Sequence, residues 1–207
     1  MNRTSGLFAK IELGYNTNMT GKTHREIGIV FGVGYYLSAT PAVYSPATLG
    51  AVAVASYFGS LIPDFDKSNA EFWSFLPYGK VVGRIIDPFF KHRSFSHSIL
   101  GVAIFSALIF LLLQTFPSYW GINTFFVWLA FLISYSSHLL ADSFTVEGMP
   151  LLYPWKKMFG IPPKPFEGIR IMTGEWFENL IIFPIANLAI LVLVISQWEK
   201  LKSLLFK

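Results

Sequence analysis

A chain of 207 residues that is 53% hydrophobic and 14% charged lies far from the soluble balance of roughly 45–50% apolar and about 25% charged, which argues against an ordinary water-soluble domain. The absence of cysteine excludes disulfides and thiolate metal ligands. A net charge of +4 without the interleaved aromatic platform of a single-strand binder points away from nucleic acid and toward anionic lipid head groups.

Residues 1–18 are polar and mixed, lack the apolar core of a secretory signal, and read as an N-terminal extension, with Met19 as an alternative start. Beyond them, residues 27–63, 98–141 and 179–198 contain no Asp, Glu, Lys or Arg. A membrane-spanning helix needs ~20 apolar residues, so the first two stretches each predict a hairpin of two spans and the third a single span. The hairpins turn at Thr40-Pro41-Ala42-Val43-Tyr44-Ser45-Pro46 and at Pro117-Ser118-Tyr119-Trp120-Gly121-Ile122-Asn123. The expectation is an all-α, multi-pass membrane protein with about five transmembrane helices, near 27–42, 47–62, 98–116, 123–141 and 179–198. Barrel strands are excluded because the stretches lack alternation. Residues 19–199 form one membrane-embedded domain, and 200–207 a basic tail.

Lys and Arg number four before the first span, five between spans two and three, four between spans four and five, and none at the hairpin tips. The positive-inside rule makes the charged face cytoplasmic and leaves Lys200, Lys202 and Lys207 of the tail on the opposite side. Trp155-Lys156-Lys157, beside Tyr153, reads as an interfacial anchor.

A hairpin returns the chain to the side it left, so its flanks meet at one interface. His24 precedes the first hairpin, and Asp64 and Asp66 follow it; His92 and His97 precede the second, and His138 and Asp142 end it; Glu178 precedes the last span. All four histidines of the chain fall in these flanks. His138 and Asp142 are one helical turn apart and share a face. Asp64 and Asp66 alternate about Phe65 after Pro63, which predicts an extended reach toward one ion or a bridge between two. His97 is expected at the start of the third span, with Ser96 as its N-cap. Taken singly, Asp64 and Asp66 fit a solvated turn, His24 an interfacial residue and His92 a contact to lipid phosphate. His138 with Asp142 inside a span is a costly arrangement and so a functional one. Imidazole with carboxylate suits one or two Zn²⁺ ions, or Mn²⁺ or Fe²⁺, with His24, Asp64, Asp66, His92, His97, His138, Asp142 and Glu178 as the candidate ligands. Two divalent ions would outweigh the three aspartates, and the excess positive charge favours an anionic substrate such as a phosphate ester.

Four segments carry a family resemblance: Thr23-His24; Leu61-Ile62-Pro63-Asp64-Phe65-Asp66; Lys91-His92-Arg93-Ser94-Phe95-Ser96-His97-Ser98; and Ser137-His138-Leu139-Leu140-Ala141-Asp142-Ser143-Phe144-Thr145, continuing to Gly148-Met149-Pro150-Leu151-Leu152-Tyr153-Pro154. Together they resemble the LexA-regulated inner-membrane family of metal-dependent hydrolases, the YdjM-like family, over residues 19 to about 182. Lys91 and Ser94 stand where that family usually has glycine, and Phe65 is a further departure. A Glu before the last span matches Glu178. More distantly, His138-x-x-x-Asp142 is similar to the ligand pair of the zinc-dependent phospholipase C and single-strand nuclease superfamily. The resemblance implies phosphodiester chemistry. The expected function is an inner-membrane metal-dependent hydrolase whose cytoplasmic-face site cleaves a lipid or membrane-proximal phosphoester, in the manner of a phospholipase C or a phosphatase. Arg93 would hold a non-bridging oxygen, Ser96 and Ser98 would orient head groups, and Asp66 or Glu178 would be the general base. The competing expectation is a non-catalytic membrane scaffold or regulator stapled by a structural metal.

Overall fold

The helix starts ahead of the first uncharged stretch: α1 spans Met19–Ser38 and so carries Lys22, His24, Arg25 and Glu26 on its first two turns. It is followed by α2 (Pro46–Leu61), α3 (Gly79–Ile86), α4 (Ile99–Gln114), α5 (Thr124–Ser143), α6 (Phe183–Ser196) and α7 (Trp198–Leu205). This is a computed structural model, and it describes residues 19–39, 45–67, 70–86, 95–115, 121–172 and 174–205. Among these the β pairing amounts to two isolated bridges, Thr145 with Ile171 and Met149 with Phe159. Three stretches, Pro46–Asp66, Thr124–Ser143 and Glu178–Ser196, are long and apolar enough to cross a membrane. α4 is apolar but only 16 residues long. Of the hairpin tips expected at 40–46 and 117–123, residues 40–44 and 117–120 lie outside the described residues.

Capping explains where the helices begin. Ser45 accepts from the Thr48 N–H at 3.1 Å with Pro46 in the first turn of α2, and Asn123 caps α5 through Phe125 and Phe126. At α4 the cap is Ser98, which accepts from Gly101 N–H at 3.1 Å, rather than the expected Ser96. The reason is a tertiary bond: the Ile99 N–H donates to Leu151 O at 3.0 Å, so the loop after α5 sets the first turn of α4 two residues later.

α1, α2 and α5 pack along a line of small residues. A Cβ on Gly28 would stand 2.6 Å from Ser60 Cβ, and one on Gly59 would stand 2.6 Å from Phe131 O. Ser134 Oγ donates to Gly28 O at 2.8 Å across the same line. Close backbone approach of this kind is how helices associate where no water drives them together. Its register positions the functional residues, because His24 lies one turn before Gly28, Asp64 lies four residues past Ser60, and His138 lies one turn past Ser134. The apolar core fills in on either side, with Tyr36, Leu37, Val52 and Ala130 in one cluster and Phe131, Tyr135, Leu139 and Met149 in the other. On α6 the large apolar side chains Leu188, Leu191 and Ile195 face outward, as in a helix bathed by lipid.

Gly59→Ala is expected to destabilise the protein by about 1–3 kcal/mol, because its new methyl meets a backbone carbonyl that no rotamer change can move. Gly50→Ala, with open space around it, is the control and should be neutral or slightly stabilising. Denaturation midpoints of the two variants in one detergent check this; equal midpoints would contradict the tight packing.

The far end of the bundle is closed by α7. Lys200 Nζ donates to Leu37 O at 2.8 Å, satisfying a carbonyl left free at the C-terminus of α1, the end remote from His24. Lys200 is therefore at the end of the bundle remote from His24.

Candidate metal centre

The second turn of α1, the turn after α2, the C-terminal end of α5 and the approach to α4 converge, bringing together His24, Asp64, His97, His138 and Asp142. His24 Nε2 is 3.2 Å from Asp142 Oδ1, and His97 Nε2 is 3.3 Å from Asp142 Oδ2 and 3.6 Å from Asp64 Oδ1. His138 Nε2 lies 3.7 Å from Asp142 Oδ2 and 3.9 Å from Asp64 Oδ2. The His24 and His138 rings stack with centroids 3.9 Å apart, and His97 meets His138 edge-on at 5.4 Å. Two overlapping triads can each hold a metal ion, His24 with His138 and Asp142, and Asp64 with His97 and His138. The one-turn spacing of His138 and Asp142 on α5 puts both on one helix face and in one triad.

The donor set fits a cation. His138 Nδ1 lies 2.7 Å from Ser60 O, an acceptor only, so Nδ1 carries the proton and Nε2 presents its lone pair to the two aspartates. That Nε2 is buried and makes no hydrogen bond, and His24 Nδ1 is likewise buried without one. Such orphaned nitrogens are costly in a protein interior unless something positive occupies the space beside them. At His97, burial works against the charged ring, yet hydrogen bonds and charge from Asp142 and Asp64 outweigh it and raise the pKa to about 9. The two aspartates thus favour positive charge at His97.

Asp66 and Ser96 stand behind this cluster. Ser96 Oγ donates to Asp66 Oδ2 at 3.1 Å and lies 3.0 Å from His97 Nδ1, while Tyr135 donates its hydroxyl to Ser96 O at 2.6 Å. The chain Asp66, Ser96, His97 fixes the ring so that Nε2 faces Asp64 and Asp142, the arrangement that orients metal-ligating histidines. The extended reach expected for residues 62–66 is a 3-10 turn instead, Ile62–Asp66, continuing α2 with Pro63 in its first turn. That turn sends Asp64 into the triad and Asp66 to Ser96. Both serine hydroxyls are engaged inside the protein, Ser98 by Gly101 N–H and by Phe95 O, to which it donates at 2.6 Å.

Glu178 is buried on a π turn, Glu178–Ile182, that leads into α6. It accepts from Gly174 N–H at 2.7 Å and shares with His24 the lining of an apolar cavity of about 350 Å³. It belongs to neither triad. His92 and Arg93 lie outside the described residues. Two contributors went unread in the sequence: Ser60, whose carbonyl fixes the His138 tautomer, and Tyr135, which holds the Ser96 backbone. Neither role follows from local spacing, since each depends on a partner on another element.

Fold and cluster together define a helical protein with apolar helices long enough to cross a membrane and a buried histidine and aspartate cluster fit for a metal. The chain belongs to the YdjM inner membrane protein family, whose model matches residues 19–203. It is 29% identical to the uncharacterized protein YvsG of Bacillus subtilis over 79% of this chain and 88% of that protein. It is 35% identical to the inner membrane protein YdjM of Escherichia coli and of Shigella flexneri over 49% of this chain and 48% of each of those proteins. No solved structure matches.

Proposed function

We propose that the protein is an inner-membrane, metal-dependent hydrolase of phosphoesters, its site facing the cytoplasm. The observation that carries this reading is the pair of overlapping triads, in which His138 is shared and its Nε2 lone pair is preset. His24, His97, His138, Asp64 and Asp142 would hold the metal, with zinc the leading candidate and Mn²⁺ or Fe²⁺ compatible with the same donors. An imidazole nitrogen binds a single ion, so a second ion requires bridging by the aspartates. When bound, the metal would supply Lewis-acid polarisation of a phosphoryl oxygen and would lower the pKa of coordinated water to ~7. Asp66, through Ser96, keeps His97 oriented. Glu178 borders the cavity beside His24 and is the better candidate to take a proton from water, since Asp66 is committed behind His97. Arg93 would pair with a non-bridging phosphate oxygen. The Lys and Arg clustered on the flanks of the spans support a cytoplasmic site and attraction to anionic head groups.

The burial of the cluster favours one rival, a structural staple, because His97 and His138 have no exposed surface and structural sites are closed. The cavity that reaches His24 and Glu178 favours the open site of an enzyme. Incubating metal-loaded protein in liposomes with a panel of phospholipids and following phosphate or head-group release separates the two. Turnover that a chelator stops is expected; no turnover on any lipid, with metal bound and fold intact, would establish the scaffold.

A further inference from the structure

We propose that the cavity between α1, α5 and the Glu178–Ile182 turn seats one hydrocarbon chain of the substrate, so that the substrate is a lipid cleaved with its tail still in the membrane; this rests on the hydrolase reading above. The cavity runs along α1 from the metal cluster toward the middle of the bundle. His24 and Glu178 line it at the level of the metal cluster, whereas Ile27 and Phe31, one and two turns further along α1, and Ile182, one turn beyond Glu178, line it toward the middle of the bundle. Leu140 of α5 and Phe144, just past the end of that helix, add apolar wall beside the cluster.

Three observations commit the occupant. The walls are stretches read as membrane spans, Thr124–Ser143 and Glu178–Ser196, so the medium beside the opening is hydrocarbon. Phe31 and Leu140 are 51% and 52% exposed, which places apolar surface at the lateral edge of the cavity, where an acyl chain enters without leaving lipid. At the inner end the cavity reaches His24, which is 4% exposed and lies 3.2 Å from Asp142, so a chain seated in the cavity brings its head group to the cluster. A free soluble phosphoester would leave the apolar length of the cavity unused. The π turn that carries Glu178 belongs to the same wall, and π turns concentrate at functional sites.

The test uses the full chain in nanodiscs, with phospholipids of one head group carrying either hexanoyl or palmitoyl chains. Ile27→Trp and Ile182→Trp fill the cavity from opposite walls and leave the triads untouched. Each should lower the ratio of palmitoyl to hexanoyl turnover by roughly tenfold or more, with metal content unchanged. Phe31→Ala, which enlarges the cavity at a half-exposed position, should shift preference toward longer chains and covers the case in which a tryptophan variant fails to fold. Binding of a fluorescent palmitoyl lipid to chelator-treated protein is the second readout, and the tryptophan variants should weaken it by a similar factor. Unchanged ratios together with unchanged lipid binding would overturn the proposal. So would a tryptophan variant that splits a dimer while lipid binding persists, since the cavity would then be a seat for a second copy. Lipid binding that the variants abolish, without hydrolysis of any lipid, would keep the tail site and remove the hydrolase reading.

Discussion

Arg93→Ala is expected to lower hydrolysis of a phosphodiester or phosphomonoester lipid by roughly 10²–10³ while metal content and folding stay near wild type. A guanidinium offers no lone pair to a metal, so its removal spares the cluster, but its planar fork pairs with phosphate and acts on charge in the transition state. The residue lies in the Lys91-His92-Arg93 run, immediately ahead of the segment that delivers His97. Turnover per metal-loaded chain, compared with wild type on the same lipid, is the measurement. Unchanged turnover would remove the phosphate-clamp role from Arg93 and leave the metal chemistry standing.

His138→Ala is expected to empty the site. His138 belongs to both triads, its Nδ1 satisfies Ser60 O, and its Nε2 stands between two aspartates, so the substitution removes a shared ligand and strands a buried carbonyl. A metal present at about a thousand times its Kd stabilises the folded state by about 4 kcal/mol, all of which disappears with the ion. Glu175→Ala, at an exposed position outside both triads, should keep both metal and melting temperature. Elemental analysis and thermal melts of the two variants side by side decide it, and equal metal loss in both would mean that the ion binds elsewhere.

The convergence of His24, Asp64, His97, His138 and Asp142 was legible because hairpin logic needs only the lengths of uncharged stretches and the sign of their flanks. His138 and Asp142 were the clearest, since their spacing alone puts both on one helix face. The small residues that draw the helices together were not read. Gly28, Gly59, Ser60 and Ser134 looked like ordinary members of apolar runs, and only their facing one another across three helices gives them meaning. Asp64 and Asp66 were expected in an extended segment after Pro63, but proline in a first helical turn needs no hydrogen bond and the chain coils on. The exchange of Ser96 for Ser98 as cap has a different origin. Either serine satisfies the local rule, and the choice is made by Leu151, more than fifty positions away. Glu178 was visible as a carboxylate beside a span, yet nothing local announced the π turn or the cavity it borders.

The central claim is that helix ends gather a metal. Elemental analysis of the wild-type protein, purified without chelator, tests it most directly. The account predicts one or two transition-metal ions per chain, zinc foremost, and a drop in melting temperature when they are stripped. Metal-free protein that neither takes up zinc, manganese or iron nor melts differently with chelator present would contradict it.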